Sequence, residues 1–185
     1  MSTPSPSADG QHLFYFAYGS NLHPHRLQLR VPSSQPVAPA VLPGHQLRFH
    51  KRGRDGSGKC NIWRTDNPAD RVIGALYRML AHEKPLLDSA EGLGHGYQVT
   101  TFQLRTLATA GQDCPAELPG FCYVAQPDHI DDTLRPFSWY HALVVSGARY
   151  HRLPADYIDH IDGIESQPDH DFERHALHQR ILRNL

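Results

Sequence analysis

Apolar and polar positions divide the chain into two unlike parts. Up to residue 125 the apolar residues fall in short runs, many of them β-branched or aromatic, separated by Gly, Pro, Asn and Asp. That pattern predicts strands over residues 13–18, 61–63, 71–80, 97–107 and 120–125, with strand-like pieces in 38–49 broken at Pro43-Gly44. Two helices are expected among them. One covers 24–30 with Pro24 in its first turn, and one covers 81–90 and stops at Gly92. Beyond residue 135 apolar residues recur at helical spacing, which predicts helices over 136–150, 154–164 and 169–183. Strands first and helices last favour an α+β fold with a small, mostly antiparallel sheet or barrel over a βαβ wind.

The first strand ends abruptly. Tyr15-Phe16-Ala17-Tyr18 runs straight into Gly19-Ser20-Asn21, and a helix opens at Pro24. A buried strand that stops in a Gly-containing turn leaves several backbone N–H groups unpaired and clustered. Such a cluster suits a carboxylate or a developing oxyanion.

Composition narrows the classes. A chain of 185 residues suits one domain with one sizeable core, here expected over 11–185 behind a disordered Ser/Pro-rich tail at 1–10. That tail lacks the basic start and apolar stretch of a secretion signal. A net charge of −1 with 39% apolar residues points neither to disorder nor to a nucleic-acid footprint. No apolar run is long enough to span a bilayer, so no membrane partner is expected. Three cysteines without a CxxC pair form neither a disulfide framework nor a zinc knuckle, and a cytoplasmic location follows. Fourteen histidines invite a metal, but there is no HExxH. His175 and His178 share a helix face without a third ligand, so no metal is expected. No sustained heptad implies a coiled-coil partner, and monomer and homodimer both stay open.

Some patterns are near misses. Gly53, Gly58 and Lys59 have the spacing of a phosphate loop, but Cys60 replaces the required Ser/Thr and a strand follows where a helix must open. Residues 51–59 read instead as a flexible basic loop between two strands, able to attract an anionic substrate. Ser20 and Ser57 lack the GxSxG context of a nucleophile and read as turn serines. Glu91 is more informative. It ends the helix carrying Leu86-Leu87-Asp88 and precedes Gly92, Gly94 and Gly96. Set among apolar neighbours, it could shuttle protons near neutral pH. On base rates, a solvated helix-end glutamate is the commoner case. Tyr140 is open in the same way, as a core aromatic or as a phenol lining a polar pocket.

Together these residues resemble the γ-glutamylcyclotransferases. YFAYGSNL at 15–22 is similar to the family signature. GALY at 74–77, LDSAEG at 87–92 with Tyr97 following, and LPADYI at 153–158 resemble later family segments in the same order. The resemblance implies a small mixed, mostly antiparallel β-barrel with flanking helices. It also implies an enzyme that cyclises a small-molecule γ-glutamyl substrate to 5-oxoproline, releasing the free amino acid or amine, with no cofactor. By the same resemblance Glu91 falls on the catalytic glutamate. Tyr15, Phe16, Ala17, Tyr18, Gly19, Ser20 and Asn21 fall on the segment that holds the γ-glutamyl part, and Tyr97 and Tyr140 on residues that line the site. The glutathione-directed branch typically reads YGSL, unlike the YGSN here, and the shorter γ-glutamylamine branch lacks the helices beyond residue 136. A binding protein of the same fold would keep the turn but need no Glu91.

Overall fold

The computed structural model describes residues 10–107 and 114–185. The expected tail therefore lies, through residue 9, outside the described residues. Five strands close a barrel in the order β1-β5-β2-β6-β7. They are β1 (His12–Ala17), β2 (Gln35–Pro43), β5 (Arg71–Leu80), β6 (Tyr97–Thr106) and β7 (Glu117–Ala125). Four of the five seams are antiparallel. β1 faces β5 with Tyr15 opposite Tyr77, β2 faces both β5 and β6, and β6 faces β7. The fifth seam is a parallel pairing of Tyr15 with Phe121, which returns β7 to β1 and leaves no open edge. The barrel is therefore mixed, as the resemblance implies.

β5 explains itself from its sequence. Val72 to Tyr77 is apolar without interruption, and each of these residues is buried. A strand with only one covered face would alternate instead. β3 (His45–Arg52) and β4 (Gly58–Arg64) form a separate two-stranded sheet. Lys51 pairs with Lys59 and Arg52 with Gly58, so strand pairing extends into the basic segment expected to be a loop. Only residues 53–57 remain as a tip. There Lys59 Nζ donates to Asp55 Oδ2 (2.7 Å) and to Ser57 Oγ (2.8 Å).

Five helices flank the strands: α1 (Pro24–Gln28), α2 (Lys84–Glu91), α3 (Ser138–Tyr150), α4 (Ala155–Asp162) and α5 (Phe172–Arg183). α3 is the core helix, with Leu143, Val144 and Ala148 fully buried, and both α4 and α5 pack on it. α5 has no buried residue and is held by polar contacts at its start. Trp139 Nε1 donates to Asp169 Oδ2 (2.8 Å), and so does Arg174 Nε (2.6 Å). Arg174 holds the Asp169 carboxyl well below the usual carboxylate range. One turn further on, the His178 ring stacks on Trp139 at 3.6 Å. Among the described residues no helix is long and apolar enough to cross a membrane.

Two devices place the segments that matter later. The Tyr77 hydroxyl donates to the Leu22 carbonyl (2.7 Å), and His151 Nε2 lies 2.9 Å from the same oxygen. These contacts tie the exit of the first turn to β5 and to the end of α3. In α2, Leu87 is fully buried, and Glu91, four residues on, shares its face. Gly92 stops the helix there. Its φ of +69° is left-handed, and the Leu93 N–H reaches back to the Asp88 carbonyl at 2.9 Å.

Burial pushes His151 down to about 4, and His178 likewise to about 4. An unfolded histidine takes its proton near pH 6.5, so the folded chain binds fewer protons between those values. The stability that this contributes is complete above about pH 6.5 and is lost as pH falls toward 4. A melting temperature that drops between pH 7 and pH 4.5 is therefore expected, with a shallower drop in His151→Gln. The same slope in wild type and variant would contradict the role of burial at His151.

Candidate active site

Eight of the ten sequence-predicted residues meet around one narrow throat of about 20 Å³. Tyr15, Tyr18, Gly19, Ser20 and Asn21 wall one side, and Glu91, Tyr97 and Tyr140 the other, with Cys60 and Tyr123 completing it. Phe16 and Ala17 stay outside. Their side chains are fully buried in the core; strand alternation turns Phe16 to the face opposite Tyr15.

The turn behaves as its sequence suggested. The Leu22 N–H closes it on the Gly19 carbonyl at 2.9 Å. Among the described residues, the amides of Gly19, Ser20 and Asn21 donate to no other group. Gly19 is needed for close approach. A Cβ there would lie 3.1 Å from Cys60 Cβ and 3.4 Å from the Tyr140 hydroxyl. The Cys60 backbone holds the two predicted tyrosines. Its N–H donates to the Tyr140 oxygen (3.2 Å), and its carbonyl accepts from the Tyr97 hydroxyl (2.6 Å). Tyr18 donates to the Tyr123 carbonyl. Burial raises Tyr15, Tyr18, Tyr97 and Tyr140 well above the usual phenol range, so all four stay protonated. Burial also pushes the Cys60 thiol up to about 12, which leaves it a poor nucleophile. Among the described residues no histidine or carboxylate is hydrogen-bonded to Ser20, which keeps it a turn serine.

Glu91 faces this turn, but not among apolar neighbours as its sequence suggests. Asn21 Nδ2 donates to Glu91 Oε1 (2.6 Å), and Arg30 Nη1 lies 3.1 Å from the same oxygen. Arg30 Nη1 also donates to Asn21 Oδ1 (2.7 Å), which closes a triangle. The Glu91 side chain is 18% exposed. A carboxylate so placed needs a cation or several donors, and the segment following α1 delivers one from nine residues beyond Asn21. Asp88, one turn before Glu91, accepts from the Tyr123 hydroxyl (2.6 Å) and from Lys84 Nζ (2.6 Å), which locks α2 against β7.

Outside the throat the site widens into a cavity of about 310 Å³. Ser20, Glu91, Tyr97 and Tyr140 line both spaces. Arg26, Arg30, Lys51, Arg54, Lys59 and His178 line the outer one. Sequence reasoning missed these as site residues, apart from noting that the 51–59 segment is basic. Arg26 and Arg30 are four apart just beyond the turn, a spacing that puts both guanidinium groups on one side and that offered the available signal. Nothing near His178 in sequence announces the site, because its place depends on the stacking of α5 on α3. A larger hollow, about 870 Å³, shares no residue with the site, and its Arg48 and Arg71 are paired with Asp132 and Asp156.

The fold recurs in known proteins. A solved structure titled gamma-glutamyl cyclotransferase superposes with a TM-score of 0.77 at 24% identity, covering 92% of this chain and 99% of that one. A crystal structure of a human protein gives 0.75 at 25% identity, over 91% and 98%. A yeast cyclotransferase specific to glutathione gives 0.61 at 11% identity, a likeness of fold alone. A family model described as AIG2-like matches residues 71–161. The chain is thus similar to the AIG2-like family over its middle segment. Curated relatives named gamma-glutamylcyclotransferase align with this chain over most of their length. The Bos taurus protein is 28% identical over 164 residues, 86% of this chain and 82% of the relative. The Mus musculus protein is 29% identical over 163 residues, 85% and 81%.

The tight packing at Gly19 has a measurable consequence. Gly19→Ala is expected to destabilise the protein by about 1–3 kcal/mol through overpacking against Cys60 and Tyr140. The urea midpoint reads this directly. An unchanged midpoint would mean that the turn has room the geometry denies it.

Proposed function

We propose that this protein is a γ-glutamylcyclotransferase, converting a γ-glutamyl amino acid or amine to 5-oxoproline with release of the free amino acid or amine. One observation carries the reading. A single carboxylate, Glu91, stands across a narrow throat from a turn with three uncommitted amides, in a chain that aligns along most of its length with γ-glutamylcyclotransferases. The reading takes residues 11–185 as one folded unit acting on a small molecule in the cytoplasm, as a monomer or homodimer.

The chemistry asks for these groups. The substrate's own α-amine attacks its δ-carbonyl carbon and closes a five-membered ring. Because both partners belong to one molecule, the site chiefly has to hold a bent conformer. The α-ammonium gives its proton to Glu91, the nitrogen adds to the carbonyl, and the oxygen becomes an oxyanion. Amides of Gly19, Ser20 and Asn21 are the donors proposed for that oxyanion and for the substrate α-carboxylate. The bond to the leaving nitrogen then breaks as Glu91 returns the proton to it, and the ring nitrogen gives its second proton through Glu91 to the released amine, which departs as its ammonium. Asn21 and Arg30 hold the carboxylate aimed while it exchanges that proton. The protonated phenols of Tyr15 and Tyr140 add neutral donors that leave the field of Glu91 undisturbed, while Tyr97 spends its proton on the Cys60 carbonyl.

Incubation with γ-glutamyl-alanine and detection of 5-oxoproline tests the reading. Glu91→Gln preserves size and most contacts and is expected to cut turnover about 10²–10⁴-fold, the usual worth of a positioned acid–base group. Near-normal turnover in that variant would remove Glu91 from the chemistry. Asn21→Ala takes away one hydrogen bond to a charged group and is expected to lower kcat/KM about 10–100-fold.

A further inference from the structure

The outer cavity carries more positive charge than its own acids balance. Five cations line it, Arg26, Arg30, Lys51, Arg54 and Lys59, against two carboxylates. Both carboxylates are engaged, Glu91 with Arg30 at 3.1 Å and Asp55 with Lys59 at 2.7 Å. Arg26, Lys51 and Arg54 have no acidic partner among the described residues. Two of these three are buried, with Arg26 7% and Lys51 5% exposed. Arg26 Nε lacks any hydrogen-bond partner among the described residues. Lys51 Nζ sits 4.5 Å over the Tyr97 ring, a weak compensation that leaves its charge unneutralised. Burying unpaired cations is unfavourable, and three of them facing one cavity focus a field on whatever enters it.

The γ-glutamyl half of a substrate does not supply the missing charge. It is a zwitterion, with its ammonium directed to Glu91 and its carboxylate to the turn. The leaving part occupies the outer space. We propose that this cavity selects substrates whose leaving amine carries two carboxylates, an amino dicarboxylate such as glutamate or aspartate, over neutral or cationic amines. The inference rests on the cyclotransferase reading and specifies its substrate class. A volume of about 310 Å³ lies at the small end of small-molecule sites, roughly 300–1,000 Å³, and suits one amino acid beyond the throat. Lys51, 4.5 Å over the Tyr97 ring, lines this cavity together with Arg26 and Arg54, so the two carboxylates of such a leaving group meet unpaired cations.

The test compares kcat/KM for γ-glutamyl-glutamate, γ-glutamyl-glutamine and γ-glutamyl-lysine. Glutamate and glutamine differ by one charge at nearly equal shape. A preference of about tenfold or more for glutamate over glutamine is expected, carried mainly by KM, with lysine last. The preference should shrink at high salt, as screening requires. Arg54→Gln and Lys51→Met should each lower the glutamate-to-glutamine ratio, and Lys51→Arg should retain it. Arg54 is exposed, so its variant tests the idea even if Lys51→Met fails to fold. If 5-oxoproline forms but glutamine equals or beats glutamate, the specificity proposal falls and the cyclotransferase reading stands. If no γ-glutamyl substrate, γ-glutamyl-alanine included, gives 5-oxoproline, both fall together.

Discussion

The site depends on one charge being held. Glu91 is a carboxylate with little solvent, and an unpaired carboxylate in such a place is costly enough to be avoided. Arg30 supplies the opposite charge, and Asn21 bonds to both, its Nδ2 to Glu91 and its Oδ1 to Arg30. The asparagine amide fits that position because it donates at one end and accepts at the other. An aspartate there would offer Glu91 a second negative charge, and a serine could not span the two. The triangle therefore joins the turn after β1, the segment after α1 and the end of α2 into one electrostatic unit.

The rest of the fold keeps that unit from drifting. On the turn side, the Leu22 carbonyl is held by Tyr77 of β5 and by His151, which caps the end of α3. On the Glu91 side, Leu87 anchors α2, Asp88 ties it to Tyr123, and Gly92 ends it before another turn of helix can cover the cleft. The Cys60 backbone spans the remaining gap by holding Tyr97 and Tyr140. Closing the barrel through the Tyr15–Phe121 seam brings these anchors into register. A small displacement of any one would move the carboxylate relative to the amides, and positioned acid–base chemistry is sensitive to that distance.

Local features were legible in the sequence. The strand of residues 13–18, the break at Pro43-Gly44, the run at 71–80 and the stop at Gly92 all appear within a residue or two of their expected places, because Gly, Pro and apolar periodicity act on neighbouring residues. The turn and Glu91 were legible for the same reason. What the chain hid is what distant segments do to one another. The environment of Glu91 was expected to be apolar, since its neighbours in sequence are leucines; its neighbour in space is Arg30. The basic segment 51–59 looked like a free loop, since its pairing of Lys51 with Lys59 places like charges opposite each other, a choice strand propensity does not anticipate. His178 gave no local signal, as its place comes from a ring stacked on Trp139. Phe16 and Ala17 belong to the signature yet are buried in the core, and strand alternation accounts for Phe16, which points opposite Tyr15.

The cations of the outer cavity complete this picture from the side of stability. Arg30 and Lys59 have acidic partners, and the fold accounts for both. Among the described residues Arg26 and Lys51 do not, and a core residue of similar volume without charge would serve the barrel at least as well. Burial already pushes Arg26 down to about 10, with Arg30 adding its like charge, and it lowers Lys51 as well. Both directions mean that the folded chain strains against these charges while keeping them. Groups that oppose folding and converge on one cavity find their explanation in what the cavity receives. The triangle around Glu91 needs no ligand to be satisfied, whereas the cations beside it do. On the proposed reading, chemistry and selection are set by different residues, Glu91 in the throat and the cations of the outer cavity.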